Sequence, residues 1–402
     1  MCDQWIKTTL GEVTTEIRRG RAPKYSDDGV LVLNQKCVQA GNRLRTDLAR
    51  RTDSEAKPVP DWAWLAEGDT VVNSTGRGTL GRASYVHALS EPTTFDSHVT
   101  VVRPRIELLV PAFLGLVLSS QPADIERLQS GSTSQTELSP SALGSLSVSV
   151  PPLPVQRRIV DLMAHLDNHL ASLQTERDAA KRLRSVTVDV AINGNMGFAD
   201  TTPWRETSLD EIAWINPRDK TLVPESPFIT MADAQEWGLW ARPSGPKGKR
   251  GGIRAVGGDT LFARITPCLE NGKIAMVPTD LGPVGGSTEF IVLRAKEGVL
   301  PEFLFRWATS TSTHKTAIGL MTGTTGRQRV SSKDLGPLSV QIPPIPVQRQ
   351  IVDLLNDIDA QASGLTEELN NLQAVRSGLL YGLISGTISV PDSYNSLLSE
   401  VA

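Results

Sequence analysis

The sequence predicts an α+β protein with two similar globular domains. Each is followed by a long α-helix, and the two helices pair as an antiparallel coiled-coil spacer. Three observations predict this: a 12-residue string that occurs twice, a period of seven after each copy, and a shared order of strand and helix patterns before each copy. A chain that repeats itself at about half its length indicates one design used twice. A length of 402 residues is enough for two or three domains.

The repeated string fixes the organisation of the chain. Pro151–Leu162 (PPLPVQRRIVDL) returns 192 residues later as Pro343–Leu354 (PPIPVQRQIVDL), with 10 of the 12 positions identical. The predicted segments are a first globular domain at 1–150, a first spacer helix at 151–194, a second globular domain at 200–342, a second spacer helix at 343–388 and a tail at 389–402.

Both globular segments show the same order of apolar patterns. In the first, Val30–Leu33, Thr70–Val72 and Val99–Val102 predict buried strands, and Pro111–Ser119 predicts a helix with proline at its start. The second segment repeats four anchors: Trp204–Ile212 matches Trp5–Val13, Gly258–Phe262 matches Gly68–Val72, Phe290–Arg294 matches Val99–Arg103, and Pro301–Leu304 matches Pro111–Leu114. Between the anchors the sequences differ, which indicates one fold with different loops.

The two helical segments have apolar residues every seven positions, a pattern that lets helices supercoil. The predicted seam consists of Ile159, Leu162, Leu166, Leu173 and Leu183 in the first helix and Ile351, Leu354, Ile358, Leu365, Leu372 and Leu379 in the second, with Ala180 and Val375 continuing it. Each helix follows a proline pair and ends near Gly194 or Gly386. Such a helix is about 60 Å long. A partner must cover its seam, and an antiparallel pair would place one domain at each end. The alternative is a seam used only for homo-oligomerisation.

Composition excludes several classes of protein. No apolar run approaches 18 residues, and the N-terminus lacks the apolar core of a signal peptide, so we expect a cytoplasmic protein without membrane contact. Three scattered cysteines (Cys2, Cys37 and Cys268) argue against a disulfide framework and a thiolate metal site. The net charge of −3 does not by itself indicate nucleic-acid binding.

No motif in the sequence predicts catalysis. Gly76–Gly81 has the form GxGxxG, but a strand pattern follows it, so a hairpin loop is the better interpretation than a dinucleotide site. Glu55–Lys57 and Asn216–Asp219 each match only part of a nuclease or methyltransferase motif. His165 and His169 lack a third metal ligand. We therefore assign no catalytic, metal-binding or cofactor-binding residue, and take the eight tryptophans as core residues rather than base-stacking platforms.

Basic loops are the remaining signal. Arginine and lysine among glycines and hydroxyl side chains suit a DNA backbone, although a single basic run is more often solvated surface. Such runs recur at matching places in both domains. The predicted DNA-binding residues are Arg18, Arg19, Arg21, Lys24, Arg77 and Arg82 in the first domain and Lys247, Lys249, Arg250, Arg264, Lys273, Arg327 and Arg329 in the second.

The sequence resembles the specificity (S) subunit of type I restriction–modification systems over essentially the whole chain. The resemblance is carried by LSVSVPPLPVQRRIVDLMAHLD at 146–167, LSVQIPPIPVQRQIVDLLNDID at 338–359 and GSTEFIVLR at 286–294. TFDSHVTVVR at 94–103 is a looser match to the same pattern.

The resemblance implies a non-catalytic subunit whose two domains each read one half of a bipartite, asymmetric site in double-stranded DNA. The helices would set the spacing and dock two methyltransferase (modification) subunits that use S-adenosylmethionine. It leaves open whether restriction subunits with ATP-driven translocase activity also join. No cofactor would be bound by this chain. Two other classes remain open: a DNA-modifying enzyme with an atypical site, and a coiled-coil adaptor without a DNA role.

Overall fold

The structure is a computed structural model that describes residues 5–55, 57–130, 137–193, 197, 203–218, 222–248, 251–324, 326–391 and 393–394. It divides into two compact units. The first unit contains residues 1–172 and 369–402, and the second unit contains residues 173–368. Each unit therefore combines one globular segment with one half of each long helix.

The first unit contains two four-stranded sheets. Its strands are β1 (Ile6–Thr9), β2 (Thr14–Arg19), β3 (Tyr25–Ser26), β4 (Val30–Leu33), β5 (Val38–Gln39), β6 (Arg43–Leu44), β7 (Arg50–Thr52), β8 (Thr70–Asn73), β9 (Ala83–Tyr85), β10 (Thr93–Phe95), β11 (Val99–Pro104) and β12 (Ser147–Val150). One sheet has the order β2-β11-β8-β9 and the other β10-β4-β7-β3; β1 pairs with β12 and β5 with β6. Its short helices are α1 (Pro111–Ser120), α2 (Pro122–Arg127) and α3 (Pro140–Gly144), with 3-10 turns at Leu10–Val13, Thr46–Leu48 and Asp61–Ala63.

The second unit repeats this plan. Its strands are β13 (Arg205–Ser208), β14 (Ala213–Ile215), β15 (Pro227–Ile229), β16 (Gly245–Pro246), β17 (Ile253–Ala255), β18 (Thr260–Ala263), β19 (Ile274–Met276), β20 (Val284–Gly286), β21 (Phe290–Ala295), β22 (Thr322–Thr324), β23 (Arg327–Arg329) and β24 (Ser339–Ile342). The sheets are β14-β21-β18-β19 and β16-β15-β20-β17, with pairs β13–β24 and β22–β23. The short helices are α5 (Leu209–Ile212), α6 (Pro301–Ala308), α7 (Thr311–Gly319) and α8 (Ser332–Leu335).

The strand and helix predictions at the matching anchors are confirmed. The sheets β2-β11-β8-β9 and β14-β21-β18-β19 are equivalent antiparallel sheets. Each second sheet contains one parallel pair, β4 with β10 and β15 with β20. The strands around those parallel pairs differ, so the duplicated fold does carry different loops.

Equivalent buried polar groups also connect the repeats. Gln156 and Gln348 stand at the same position of the repeated string, and both are fully buried. The Gln156 amide donates to the carbonyls of Leu108 and Pro151 and accepts from the Val110 N–H. The Gln348 amide makes the equivalent bonds to the backbone of Gly298, Leu300 and Pro343. In both units, the glutamine of the repeated string thus satisfies backbone groups that would otherwise lack these partners.

The long helices are α4 (Leu153–Ile192) and α9 (Ile345–Ser385). In the first unit, Val155, Ile159 and Met163 of α4 share a core with Leu380 and Leu383 of α9. In the second unit, Val188 and Ile192 of α4 share a core with Val347, Ile351 and Leu355 of α9. The start of each helix therefore packs with the end of the other, and the pairing is antiparallel.

The positions of the predicted seam are partly corrected. Ile159 and Leu173 are buried, Leu166 is half-buried, and Ile351 and Ile358 are buried. A second row of buried residues lies four residues after the first row rather than three, at Met163, Leu170, Leu355 and Leu369. Leu162 and Leu354 are therefore only half-buried. Leu183 was wrongly assigned to the seam, because its side chain is 56% exposed, and Val375, 59% exposed, was wrong for the same reason.

Two arginines occupy positions on the second row of the seam. Arg184 and Arg376 lie on the second row, and each side chain is only 13% exposed. Within the second unit, Arg184 Nε donates to Asp359 Oδ1 at 2.5 Å. Within the first unit, Arg376 Nη2 donates to Asp167 Oδ2 at 2.8 Å. An arginine can bury its aliphatic stem in a seam while its guanidinium pairs at the edge, and a count of apolar residues misses it.

Candidate nucleic-acid interface

Several of the predicted basic residues lie at one end of the equivalent sheets. In the first unit, β2 ends at Arg19, β8 ends at Asn73, and β9 begins after Arg82. Antiparallel pairing places Arg19 and Val72 beside Thr100, near the start of β11. In the second unit the same end carries Arg264, after β18, and Lys273, before β19. Residues far apart in sequence therefore meet at one edge in each unit.

In the first unit, an aromatic ring orders two of the arginines. The guanidinium carbon of Arg18 lies 4.0 Å from the centre of the Trp62 ring, and that of Arg21 lies 5.5 Å from it. The rings of Trp62 and Phe95 meet edge to face with centroids 6.2 Å apart. Cation–π contacts hold each guanidinium in place while its N–H groups remain able to bind an anion. Trp62 was missed by the sequence reasoning, which assigned the tryptophans to the core.

Arg19 is more constrained than its neighbours. Its Nε donates to the carbonyl of Ser97 at 2.5 Å, and its guanidinium pairs with Glu137. Burial lowers the pKa of the Arg19 guanidinium. These contacts fix the loop before β11 to the end of β2, so Arg19 contributes to the shape of this edge as well as to its charge.

The remaining predicted residues of the first unit lie on loops. Arg77 is exposed on the hairpin between β8 and β9, and Arg82 donates to the Gly78 carbonyl at 2.9 Å in the same loop. Lys24 is exposed just before β3. The hairpin interpretation of Gly76–Gly81 is confirmed, because β8 and β9 pair antiparallel on either side of it. Its N–H groups do not open a helix, the arrangement that a dinucleotide phosphate requires.

In the second unit, Arg264 lies next to a carboxylate and another arginine. The Arg329 guanidinium donates two hydrogen bonds, of 3.0 and 2.7 Å, to the Glu289 carboxylate. The backbone N–H of Arg264 donates to the backbone carbonyl of Glu289. These bonds from Arg329, with the charges of Arg264 and Arg327, lower the pKa of the Glu289 carboxyl. Arg327 is exposed at the start of β23. The cluster retains a positive excess even after Glu289 has paired.

The other predicted residues of this unit have different positions. Lys273 Nζ donates to the Met231 carbonyl at 2.9 Å, so its ammonium is partly used inside the unit. Lys247 is half-buried after β16, and its N–H donates to the Ser226 carbonyl. Lys249 and Arg250 lie outside the described residues. Their predicted role stays a prediction.

A cleft opens beside Arg264 with a volume of about 460 Å³. Its lining includes Asn216, Arg218, Gly252, Arg254, Arg264 and Thr288. On one side lie the ends of β14 and β18 and the start of β21, and on the other side lies the start of β17. Arg218 and Arg254 were not among the predicted residues. Arg218 stands in the Asn216–Asp219 segment noted from the sequence, but only the fold brings Arg218 and Arg254 to Arg264.

The assignment of all tryptophans to the core is wrong for several of them. Trp307 is buried, at 3% exposure, but Trp214, Trp237 and Trp240 are 59%, 43% and 37% exposed. Trp237 packs edge to face on the ring of His314, with centroids 4.8 Å apart. Trp214 lies under the Lys296 ammonium, 4.4 Å from its ring centre. These aromatic faces belong to the surface of the second unit.

Within the described ranges, no group of three or more His, Cys, Asp or Glu side chains could hold a metal ion. His165 and His169 are both exposed on α4. In the same part of the chain, no helix combines the length and apolarity that crossing a membrane requires.

Two like α+β units, each with basic loops at one sheet edge, define the class of a modular DNA-recognition protein. The model of the type I restriction modification DNA specificity domain matches the chain twice, at residues 3–182 and 203–374. The chain belongs to this family. Its function is therefore DNA target recognition by two specificity domains.

Curated relatives agree with the family. The chain is 22% identical over 422 residues to the type I restriction enzyme EcoKI specificity subunit of Escherichia coli strain K12, covering 95% of this chain and 88% of that protein. It is 31% identical over 163 residues to the EcoEI specificity subunit of Escherichia coli, covering 37% of this chain and 26% of that protein.

Two solved structures share the fold. A chain from a type I R-M system, solved to explain complex assembly and conformational transition, superposes with a TM-score of 0.62 at 18% identity, covering 94% of this chain and 97% of that one. The type I restriction-modification S subunit from M. genitalium superposes with a TM-score of 0.54 at 16% identity, covering 95% and 96%.

Proposed function

We propose that each unit reads one half of a bipartite, asymmetric DNA site through the basic edge of its sheet. The observation that carries this proposal is the recurrence of cations at the same sheet end in both units, on loops whose sequences differ. Equivalent placement supports a shared task, and different loops support different target bases. Arginine and lysine supply both phosphate contacts and base-edge hydrogen bonds.

Two weak recognition units joined in one chain bind a two-part site more tightly than either unit alone. A bidentate contact to a base discriminates by about 1–3 kcal/mol. Linking two recognition units raises the effective concentration of the second reader once the first is bound. In this proposal α4 and α9 set the spacing between the half-sites, and their antiparallel pairing supports that role.

The same helices are proposed to dock partner subunits. Two methyltransferase subunits that carry S-adenosylmethionine would bind at the repeated helical segments, and restriction subunits that use ATP are a further class of partner. This chain would then be a non-catalytic subunit of a cytoplasmic complex and would bind no cofactor itself. The repeated string at Pro151–Leu162 and Pro343–Leu354 supports two like docking places.

The decisive experiment is methylome sequencing of the host with and without this gene. We expect loss of one two-part adenine-methylation motif when the gene is deleted. An unchanged methylome, in a host that expresses the chain and its partners, would contradict the proposal.

Two further assays separate the rival classes. Methyltransferase activity of the purified chain alone would identify it as an enzyme in its own right. An adaptor without a DNA role would fail to shift duplex DNA that contains the motif. The proposed function requires a shift by the assembled complex and no methyl transfer by this chain alone.

A further inference from the structure

The cleft beside Arg264 has an unusual charge. Arg218 and Arg264 contribute two guanidinium groups, and no carboxylate is found among the described residues that line it. Glu289 lies nearby, but Arg329 takes both of its carboxylate oxygens. Two like charges beside one space repel each other, and an anion between them removes that repulsion.

One of these side chains also lacks a hydrogen-bond partner. Arg264 Nε is buried, and within the described part of the chain no acceptor lies within hydrogen-bond distance of it. Buried polar groups in folded proteins are nearly always satisfied, so this donor is free to bind an acceptor that enters the cleft. Across the cleft, the Asn216 side chain is fixed by accepting a hydrogen bond of 2.9 Å from the Val292 N–H.

We propose that this cleft, the arginine cleft, holds a phosphate of the DNA backbone, so that the second unit carries a sequence-independent grip. The inference rests on the proposed function and deepens it by assigning a ligand class to one part of the interface. Guanidinium groups match phosphate oxygens with paired, charge-assisted hydrogen bonds. A neutral base edge would not offset the positive charges of Arg218 and Arg264. For that reason we assign the cleft to phosphate rather than to base recognition.

The first unit has no equivalent grip at this position. The residue that corresponds to Arg264 is Ser74. The backbone carbonyl of Ser74 accepts from the Leu138 N–H, and the backbone carbonyl of Arg264 accepts from the Val330 N–H in the same way. Ser74 is fully buried, and its hydroxyl bonds to that of Thr100 at 2.5 Å. An uncharged, satisfied side chain offers nothing to a phosphate. Among the described residues of the first unit, the position equivalent to Arg264 therefore carries no charge.

The test compares Arg264→Gln and Arg218→Gln with the wild-type full chain. Binding is measured over a range of salt concentrations to two duplexes, one with the methylome motif and one of random sequence. Each substitution should weaken binding to both duplexes by the same factor and make the slope of log K against log salt shallower by about one. The methylome motif itself should keep every base.

Arg205→Gln is the matched control, because it removes one positive charge from an exposed residue of β13 in the same unit and outside the cleft. It should leave the slope close to that of the wild type. Circular dichroism and thermal unfolding establish that each variant is folded, and Arg264→Lys, which keeps the charge, should retain most of the slope.

Two outcomes would overturn the inference while leaving the proposed function intact. The first is a variant that relaxes one base of the motif without weakening binding to random DNA, since that result identifies a base reader. The second is an unchanged affinity and slope in both cleft variants. A wild-type chain that binds neither duplex, alone or assembled, and whose deletion leaves the methylome unchanged would overturn the proposed function itself.

Discussion

At the scale of single residues, the two repeats differ most in one buried charge. Arg306 on α6 is fully buried; its Nη1 donates to Asp359 at 2.5 Å and its Nη2 to Asn356 at 2.6 Å. Asp359 also pairs with Arg184, so one carboxylate serves two arginines. The equivalent aspartate of the first unit, Asp167, pairs with Arg376. The position equivalent to Arg306 on α1 is Leu116, which is apolar and buried.

This difference predicts unequal effects of one substitution at two equivalent sites. Asp359→Asn leaves two arginines without their carboxylate, one of them fully buried, and should lower the free energy of unfolding by about 3–5 kcal/mol. Asp167→Asn changes a side chain that is 44% exposed, so a loss of about 0–1 kcal/mol is expected. Urea denaturation measures both. Equal losses would show that the buried arginine is not the cause.

Cysteine reactivity gives a second prediction at this scale. Burial raises the pKa of the Cys37 thiol to about 11. The unfolded thiol titrates near 8.5, so the neutral buried thiol favours the fold below that pH, and this contribution is lost as the pH rises toward 11. At pH 8 the native protein should react with iodoacetamide much more slowly at Cys37 than at half-buried Cys268. Mass spectrometry of digested protein resolves the sites. Equal labelling at Cys37 in native and urea-unfolded protein would contradict this.

At the scale of elements, the seam of the long helices depends on which side chains face the partner. Leu170 is 6% exposed and Leu183 is 56% exposed, although both are leucines of α4. The period of seven identified one row of the seam. It could not identify the other row, because positions three and four residues later lie on the same side of a helix.

Leu170→Ala and Leu183→Ala test the corrected seam. The first should cost about 2–5 kcal/mol, because it removes buried methyl groups and leaves a cavity. The second should lie within about 0.5 kcal/mol of the wild type. Thermal or urea unfolding of the full chain measures both losses of stability. A larger loss from Leu183→Ala than from Leu170→Ala would support the three-residue spacing between the rows of the seam.

A glycine pair beside the arginine cleft provides another prediction for an element. A Cβ atom on Gly252 would lie 1.9 Å from the Gly286 carbonyl oxygen, whereas one on Gly251 would meet nothing within 4 Å. Gly252→Ala should therefore separate β17 from β20 and destabilise the second unit, and Gly251→Ala should not. Hydrogen exchange at the Ile253–Ala255 amides measures the separation. Equal protection in both variants would show that the strands can shift without cost.

At the scale of the whole molecule, the chain contains two readers of one design. Each unit has its own buried core and its own basic sheet edge. If they read separate half-sites, the effect of a substitution on the target should stay within one half. We expect Arg77→Ala, at an exposed loop residue of the first unit, to relax positions in only one half of the methylome motif. Changes in both halves would indicate that the readers are coupled.

The sequence by itself determined the duplicated α+β design, the antiparallel helices, the strands at the matching anchors and the hairpin at Gly76–Gly81. These features depend on local periodicity, turn residues and an internal repeat, which are all visible along the chain. Only the tertiary structure decided that Arg218 and Arg254 meet Arg264, that Trp62 supports Arg18, and that Arg184 and Arg376 replace apolar seam residues. Such contacts join residues that are distant in sequence, and an arginine can serve a seam, an ion pair or a DNA surface. Which role it takes depends on the neighbours that folding brings to it.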